Sequence, residues 1–195
     1  NDPNVRAIIL DIESPGGTVD GVPEAADEIR AARDGGKKIV AVANSYAASA
    51  AYWLAAAASE VVVSPSGMVG SIGVYGAHED ISGMLEQMGV KVTLISAGKF
   101  KTEGNPFEPL DEETLKKLQD QVNEAYAMFV RDGAKGRGVT PSAVRNGYAE
   151  GRAVMAPACI RQNRLSNTRQ VAARTSRDAR SSTAAGDSPT ATSAT

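Results

Sequence analysis

The chain has 195 residues, of which 42% are hydrophobic, and this is enough to bury the core of one globular domain. With 21 basic and 23 acidic side chains the net charge is -2, which excludes an electrostatic footprint for nucleic acid or for an anionic membrane. One cysteine and one histidine exclude an internal disulfide and a zinc site of the usual His/Cys type, so we expect no metal and no cofactor.

Strand and helix signals alternate through the first third of the chain. Residues 5–12 form a short β-branched apolar run that ends at Ser14-Pro15-Gly16-Gly17, which predicts a buried strand followed by a turn. Pro23 suits the first turn of the helix that follows, and Gly35-Gly36 ends it. The further elements predicted here are a strand at 38–43, an alanine-rich helix at 48–58 and a strand at 60–63.

The same alternation continues along the chain. We predict strands at 70–74 and 90–95, a helix at 81–88 and a long amphipathic helix from Asp111 to about Gly133. One stripe of the long helix carries the apolar residues Leu115, Leu118, Val122 and Ala125. Strands that alternate with helices predict an α/β fold with a mostly parallel sheet covered by helices.

The composition changes near Gly151. Lysine is common before this residue and absent after it, where arginines are followed by a Ser/Thr/Ala-rich end. Residues 151–195 show no sustained apolar period, so we predict a disordered Arg/Ser/Thr-rich tail or a non-native end from a shifted reading frame. The folded domain is predicted to span residues 1–150.

Ser49 is the first candidate for chemistry. It lies where the predicted strand and loop turn into the alanine-rich helix, which places its hydroxyl at a helix N-terminus. Free N–H groups and the positive end of the helix dipole stabilise an oxyanion at such a place. Serine is also a preferred N-cap, and capping is the more common reason for a serine at this position.

Gly16 and Gly17 follow a predicted buried strand. Without a Cβ, their backbone can approach a bound carbonyl group and donate N–H groups to an oxyanion. An ordinary tight turn is the other explanation of two adjacent glycines. The turn indicates an oxyanion hole only if it lies next to Ser49 in the folded chain.

A nucleophilic serine needs a base, and three residues are candidates. His78, the single histidine, lies at a predicted helix start and is interpreted mainly as structural. Lys99 and Lys101 lie in a loop after a predicted strand, where the sites of α/β proteins are built. A lysine acts as a base when burial favours its neutral form, and otherwise it is a solvated surface charge.

Four segments in one order resemble the bacterial signal peptide peptidase family, SppA. They are residues 11–17 (DIESPGG), 45–53 (SYAASAAYW), 70–74 (GSIGV) and 96–101 (SAGKFK). Residues 77–78, 85–90 and 101–107 are similar to the phage branch of the family, the capsid assembly proteases. The resemblance covers about residues 5–150 and is specific as a set, because each segment alone is common.

Carried over by position, the resemblance implies a serine–lysine pair. Ser49 matches the nucleophile and Lys101 the base, while Lys99 falls on a variable position. The turn at Gly16-Gly17 and the N–H of Ala50 match the oxyanion hole. Many relatives have two glycines where this chain has Ala50-Ala51, and only backbone N–H groups are needed there.

The resemblance also implies the fold that Clp proteases and crotonases share, a spiral of ββα units, of which this chain lacks the initial strand. It implies a homo-oligomer, a ring or dome, that acts on protein or peptide substrates. The implied function is a serine endopeptidase that cleaves phage capsid or scaffold proteins, with signal peptides as the second substrate. The expected location is the bacterial cytoplasm or a phage procapsid, and a membrane-associated location stays open because the N-terminus reads as incomplete.

Two functions of other classes stay open. A catalytically inactive scaffold or assembly protein would keep the fold without turnover. A crotonase-type acyl-CoA enzyme would share the oxyanion turn but would have no use for Ser49 with Lys101.

Overall fold

The computed structural model describes residues 2, 4–147, 149–156 and 168–170. The strands are β1 (Ala7–Asp11), β2 (Lys38–Ala43), β3 (Tyr46–Ala48), β4 (Glu60–Val63), β5 (Met68–Gly70), β6 (Ala153–Met155) and β7 (Thr168–Gln170). The helices are α1 (Val22–Asp34), α2 (Ala50–Ala57), α3 (Ser82–Gln87), α4 (Glu112–Arg137) and α5 (Pro141–Gly147), and a 3-10 turn covers Ala149–Gly151.

Four parallel strands form the larger sheet, in the order β1, β2, β4, β7. Ile9 lies opposite Val40, and Val42 lies opposite Val62, so β-branched side chains meet across the sheet. Parallel neighbours need a crossover connection, and α1 and α2 lie in the two that join β1, β2 and β4. The predicted α/β fold with a parallel sheet and helices is therefore confirmed.

Strands β3, β5 and β6 form a second, smaller sheet. β3 runs parallel to β5, and β6 runs antiparallel to β5. The loop after β1 joins this sheet through a bridge between Ser14 and Ala47. The end of β3, the end of β5 and the loop after β1 therefore meet at one place.

The core lies between the larger sheet and the helices α1, α2 and α4. Buried side chains alternate along the strands because successive residues of a strand point to opposite faces. Trp53 of α2 and Phe129 of α4 stack in the centre of this core. The buried strand residues are Ile39, Ala41 and Ala43 on β2 and Val61 and Val63 on β4.

The long helix α4 has two unlike halves. It begins at Asp111, whose carboxylate accepts a hydrogen bond of 2.6 Å from the N–H of Thr114. Of the predicted apolar stripe, Leu118, Val122 and Ala125 are half-buried, whereas Leu115 is exposed. The side chains that reach the core lie near the other end, at Phe129, Val130 and Ala134.

Residues 73–111 form a lobe, from which none of the described side chains belongs to the buried core. The strand predicted at 90–95 is wrong, and the strand predicted at 70–74 includes only Gly70. In these segments no neighbouring strand supplies hydrogen-bond partners, which β-branched residues need to form a ladder. Its large exposed apolar side chains are Tyr75, Met84, Met88, Val90, Val92, Leu94, Ile95 and Phe100.

Two short strands lie after Gly151, in the segment for which the sequence predicts no fold. β6 extends the smaller sheet beside β5, and β7 extends the larger sheet beside β4. Ala156, which follows β6, is fully buried. The rest of the predicted tail, residues 157–167 and 171–195, lies outside the described residues.

Candidate active site

Ser49 is the single residue between β3 and α2. Its backbone has φ 53° and ψ -127°, a conformation that residues with a Cβ rarely adopt. Such a conformation costs about 1–3 kcal/mol and persists only where the surrounding structure enforces it. A strained turn from strand to helix is also the geometry that exposes a nucleophilic side chain.

The Ser49 hydroxyl does not cap α2. Although Ser49 occupies the N-cap position, its side chain makes no capping hydrogen bond. Its backbone is held instead, because the N–H of Ser49 donates to the carbonyl oxygen of Gly70 at 2.8 Å. Within the described part of the chain the hydroxyl has no hydrogen-bond partner, so the capping interpretation does not explain this serine.

Gly16 packs directly against Ser49. A Cβ on Gly16 would lie 2.7 Å from the Cβ of Ser49 and 3.1 Å from the nitrogen of Ala50, and Gly16 has φ 115°. The N–H of Gly16 donates to the hydroxyl of Ser14 at 3.2 Å. Gly16 therefore provides the close approach, whereas its N–H group already has an acceptor.

The N–H groups of Gly17 and Ala50 are better placed than that of Gly16 to donate to a bound molecule. Ala50 is the first residue of α2, and the first N–H groups of a helix have no acceptor within the helix. A Cβ on Gly17 would meet no atom within 4 Å, so this residue faces open space. Both residues line the cleft described next.

A cleft of about 520 Å³ opens beside the helix start. Its walls are the loop after β1, the start of α1 and the first turns of α2. Its lining residues include the acidic Asp11, Glu13 and Asp20, and the Glu13 carboxylate accepts a hydrogen bond from the hydroxyl of Ser45. The apolar part of the lining consists of Ile12, Val22, Ala51 and Leu54.

Lys101 belongs to the lobe and is not among the residues that line this cleft. Its side chain is exposed, and its N–H donates to the carbonyl of Gly98 at 3.2 Å within a turn of the lobe. No hydrogen bond or ion pair among the described residues joins Lys101 to Ser49. Of the site residues that the sequence predicts, the structure brings Ser49, Gly16, Gly17 and Ala50 together and leaves Lys101 on the lobe.

The other two base candidates also lie on the lobe. Lys99 is exposed, with its ammonium group 3.9 Å from the Glu113 carboxylate and 4.4 Å from the centre of the Phe100 ring. His78 is half-buried, and its Nε2 lies 2.9 Å from the carbonyl oxygen of Asn105. Because Asn105 closes the turn after Lys101 through the carbonyl of Thr102, His78 helps to hold that turn.

Ser71 helps to build the site, although the sequence assigns it no role of its own. Ser71 follows β5 with φ 55°; its N–H donates to the carbonyl of Arg152, and its hydroxyl donates to the carbonyl of Gly151. These bonds hold the backbone next to Gly70, the acceptor for Ser49. The local sequence pattern that could have indicated this role is the Gly70-Ser71 pair after a short apolar run. The partner of Ser71, Gly151, lies eighty residues away in the segment predicted to be unfolded.

The described residues contain no cluster of three or more His, Cys, Asp or Glu side chains arranged to hold a metal ion. Within the same part of the chain, no helix combines the length and the apolar character that crossing a bilayer requires.

Comparison with known proteins gives a family match over most of the chain. The model of the family described as Peptidase family S49 matches residues 31–177. The head-tail preconnector protein GP5 of Enterobacteria phage P21 is 40% identical over 143 residues, which are 73% of this chain and 28% of that protein.

Two further relatives have informative names. The capsid assembly protease C of Escherichia phage lambda is 40% identical over 131 residues, 67% of this chain and 30% of that protein. A putative signal peptide peptidase SppA of Enterococcus faecium is 32% identical over 151 residues, 77% of this chain and 44% of that protein. The chain thus spans less than half the length of each of these three relatives.

Proposed function

The chain belongs to peptidase family S49, and on that premise we propose that it is a serine endopeptidase with Ser49 as nucleophile and Lys101 as general base. The observation that carries the proposal is the strained backbone of Ser49, whose hydroxyl makes no capping bond and stands beside the Gly16-Gly17 turn. Strain of this kind is concentrated at functional sites, where it fixes a reactive group. A serine that merely capped α2 would need no strain.

In the proposed mechanism, neutral Lys101 accepts the proton of the Ser49 hydroxyl as its oxygen attacks the peptide carbonyl. The N–H groups of Gly17 and Ala50 donate to the oxyanion that forms, which stabilises the tetrahedral intermediate. The protonated lysine then gives its proton to the leaving amine, and an acyl-enzyme remains. Water hydrolyses this ester, with the lysine again as base.

The position of Lys101 on the lobe supports a mechanism in which copies of the chain associate before they can cleave a substrate. Lys101 lies on the lobe and has no hydrogen bond or ion pair with Ser49 among the described residues, and the lobe exposes large apolar side chains. Exposed apolar patches of this kind mark protein interfaces. We propose that the chain forms a homo-oligomer, a ring or dome, in which the lobe of one copy brings Lys101 to Ser49 of its neighbour.

The proposed substrates are proteins of a phage capsid or its scaffold, cleaved inside the procapsid. Similarity to the capsid assembly protease of phage lambda and to the preconnector protein of phage P21 supports this choice. Signal peptides are the second substrate class, supported by similarity to the putative SppA of Enterococcus faecium and implying work in the bacterial cytoplasm or at its membrane. For the fold we propose the Clp protease and crotonase-like spiral of ββα units, which the alternation of β1 to β4 with α1 and α2 supports.

The direct test is labelling of the purified chain with a fluorophosphonate, which reacts with activated serines. We expect a single label, on the peptide that contains Ser49, together with hydrolysis of a casein substrate. A chain that assembles but never labels would be an inactive scaffold protein, the alternative function. Mixing Ser49→Ala chains with Lys101→Met chains should restore hydrolysis, and failure to restore it would place the pair within one chain.

A further inference from the structure

The strained backbone of Ser49 is held from both sides. Its N–H donates to Gly70, and its carbonyl oxygen accepts from the N–H of Trp53 at 3.0 Å, one helical turn along α2. Because the second bond belongs to the first turn of α2, the direction of this helix decides where the Ser49 hydroxyl points. Any contact that holds the orientation of α2 therefore also holds the orientation of Ser49.

Trp53 makes a polar contact that ties α2 to α4. The helix is otherwise built from alanine, tyrosine and leucine, and Trp53 is 2% exposed. Its indole ring stacks on Phe129 of α4 with a centroid distance of 4.5 Å and an angle of 3°. Its Nε1–H donates to Oδ2 of Asp132, also on α4, at 3.2 Å.

Asp132 is a buried carboxylate placed between three helices. It is 5% exposed, and it lies 3.1 Å from Nε of Arg131 and 3.7 Å from Nη2 of Arg30 on α1. Arg30 is itself 3% exposed and pairs with Asp27 at 2.5 Å. Buried charges of this kind stabilise a fold less than apolar side chains of the same size, and in some proteins they instead fix one particular arrangement.

A stacked ring alone would not fix the helix to the same degree. The preference of two aromatic rings for a stacked arrangement contributes little beyond their burial, and it does not require one particular edge of the indole to face Asp132. A hydrogen bond from Nε1 to a buried carboxylate weakens steeply when its angle changes, so it sets the rotation of α2 about its own axis. The same rotation sets the direction of the Ser49 hydroxyl and of the Ala50 N–H.

We propose that Trp53 and Asp132 are positioning residues for the nucleophile: their hydrogen bond holds α2 in the rotation that aims Ser49 at the substrate carbonyl. The proposal rests on the function proposed above, in which Ser49 attacks. It gives the buried network of Arg30, Asp132 and Trp53 a role in the reaction, although none of these side chains touches the substrate.

The test compares Trp53→Phe with Asp132→Asn in the full chain. Phenylalanine keeps a ring to stack on Phe129 but has no N–H, whereas asparagine keeps an oxygen that accepts from the indole. We expect Trp53→Phe to lower the rate of fluorophosphonate labelling and the kcat for peptide hydrolysis by about 10- to 100-fold, with KM within about twofold, because small misplacements of a reacting group cost this much. Asp132→Asn should stay within about threefold of the unchanged chain, because the indole keeps an oxygen acceptor and Arg30 keeps its pair with Asp27.

A structural role alone would give a different pattern. Trp53→Phe would then lower the urea midpoint while its folded fraction labelled at the unchanged rate, and this result would overturn the positioning role. Equal losses in Trp53→Phe and Asp132→Asn would overturn it as well. If the unchanged chain never labels at Ser49, the proposed function fails, and the positioning role fails with it.

A second pair of variants covers the case in which Trp53→Phe does not fold. Asp132→Ala removes the acceptor and Asp132→Asn keeps it, and both leave Trp53, the single tryptophan of the chain, as a fluorescence reporter. We expect the emission maximum to shift in Asp132→Ala but not in Asp132→Asn, and the labelling rate to fall only where the emission shifts. Labelling rates that are equal in the two variants would overturn the proposal.

Discussion

Gly136 of α4 lies against the carbonyl oxygen of Ala56 in α2, so closely that a Cβ at position 136 would overlap the Ala56 carbonyl group. This contact lets two helix backbones approach each other without a side chain between them. It complements the stacking of Trp53 on Phe129 two turns earlier in α4. Together the two contacts set the distance between α2, which follows the nucleophile, and the helix that supports it.

Gly136→Ala should therefore destabilise the domain by roughly 1–3 kcal/mol or more, because overpacking forces the backbones apart. The matched control is Gly133→Ala on the same helix, where a Cβ would meet no atom within 4 Å. That change should stabilise the helix by up to about 1 kcal/mol, the difference in helix propensity between glycine and alanine. Urea unfolding of both variants checks the prediction, and equal midpoints would contradict the close contact.

Ser49→Ala should abolish labelling and hydrolysis while leaving stability almost unchanged, because the hydroxyl makes no capping bond that could be lost. Ser49→Gly should be just as inactive but more stable than Ser49→Ala by about 1 kcal/mol, since glycine adopts a positive φ without strain. Thermal unfolding of the two variants measures the difference. A glycine variant less stable than the alanine variant would argue against backbone strain at this position.

Gly16→Ala should disrupt the site, because the new Cβ would stand 2.7 Å from the Cβ of Ser49 and 3.0 Å from the carbonyl of Ala48 at a positive φ. Gly17→Ala serves as the control: its Cβ would meet nothing within 4 Å, and its N–H donor is kept. We expect at least about a 100-fold loss of labelling in the first variant, as for a misplaced reacting group, and less than about a tenfold loss in the second. Similar labelling of the two variants would show that the close approach has no part in the reaction.

Lys101→Met should lower the labelling rate by several orders of magnitude, because Ser49 loses its base while an apolar side chain of similar length remains. Lys99→Met should have little effect, since the Lys99 ammonium group pairs with Glu113 and lies over the Phe100 ring. An inactive His78→Ala beside an active Lys101→Met would reverse the assignment of the base.

The N-terminus of α4 should lose a stabilising contribution in acid. Hydrogen bonds from the backbone N–H and hydroxyl of Thr114 hold the pKa of Asp111 below its usual 3.8, so the folded state favours the ionised carboxylate. This contribution is complete above the usual pKa and is lost as the pH falls through the lower pKa of the folded state. Asp111→Asn keeps the cap without the titration, so thermal unfolding between pH 6 and pH 2.5 should show a smaller loss for this variant.

The sequence predicts most strands of the larger sheet and the helices that connect them well, because short-range residue patterns are enough to identify them. The strand at 60–63 and the helix that ends at Gly35 need no distant partner to be recognised. The strand predicted at 90–95 fails for the opposite reason: its β-branched residues have the right propensity, but pairing depends on a neighbour that propensity cannot reveal. β6 and β7 lie in a polar, arginine-rich segment, so no apolar period indicates them.

Some residues of the candidate site could likewise be predicted from the sequence, and others could not. Ser49, Gly16 and Ala50 meet because the loop after β1 and the start of α2 adjoin the same short sheet, and the family resemblance predicts that meeting whereas each motif alone does not. The network of Trp53, Asp132 and Arg30 joins residues up to about one hundred positions apart, and no local pattern marks it. The assignment of Lys101 as the base stays a prediction.

The proposed supply of Lys101 by the lobe of a neighbouring copy has a consequence for how activity depends on the concentration of the chain. An isolated chain at low concentration would have Ser49 in position but no lysine to accept its proton. Such a chain would not cleave surrounding proteins. Hydrolysis per chain would then rise with concentration and show a threshold, as each new neighbour completes one more site. Cleavage of unintended proteins would then be confined to places where copies are crowded together.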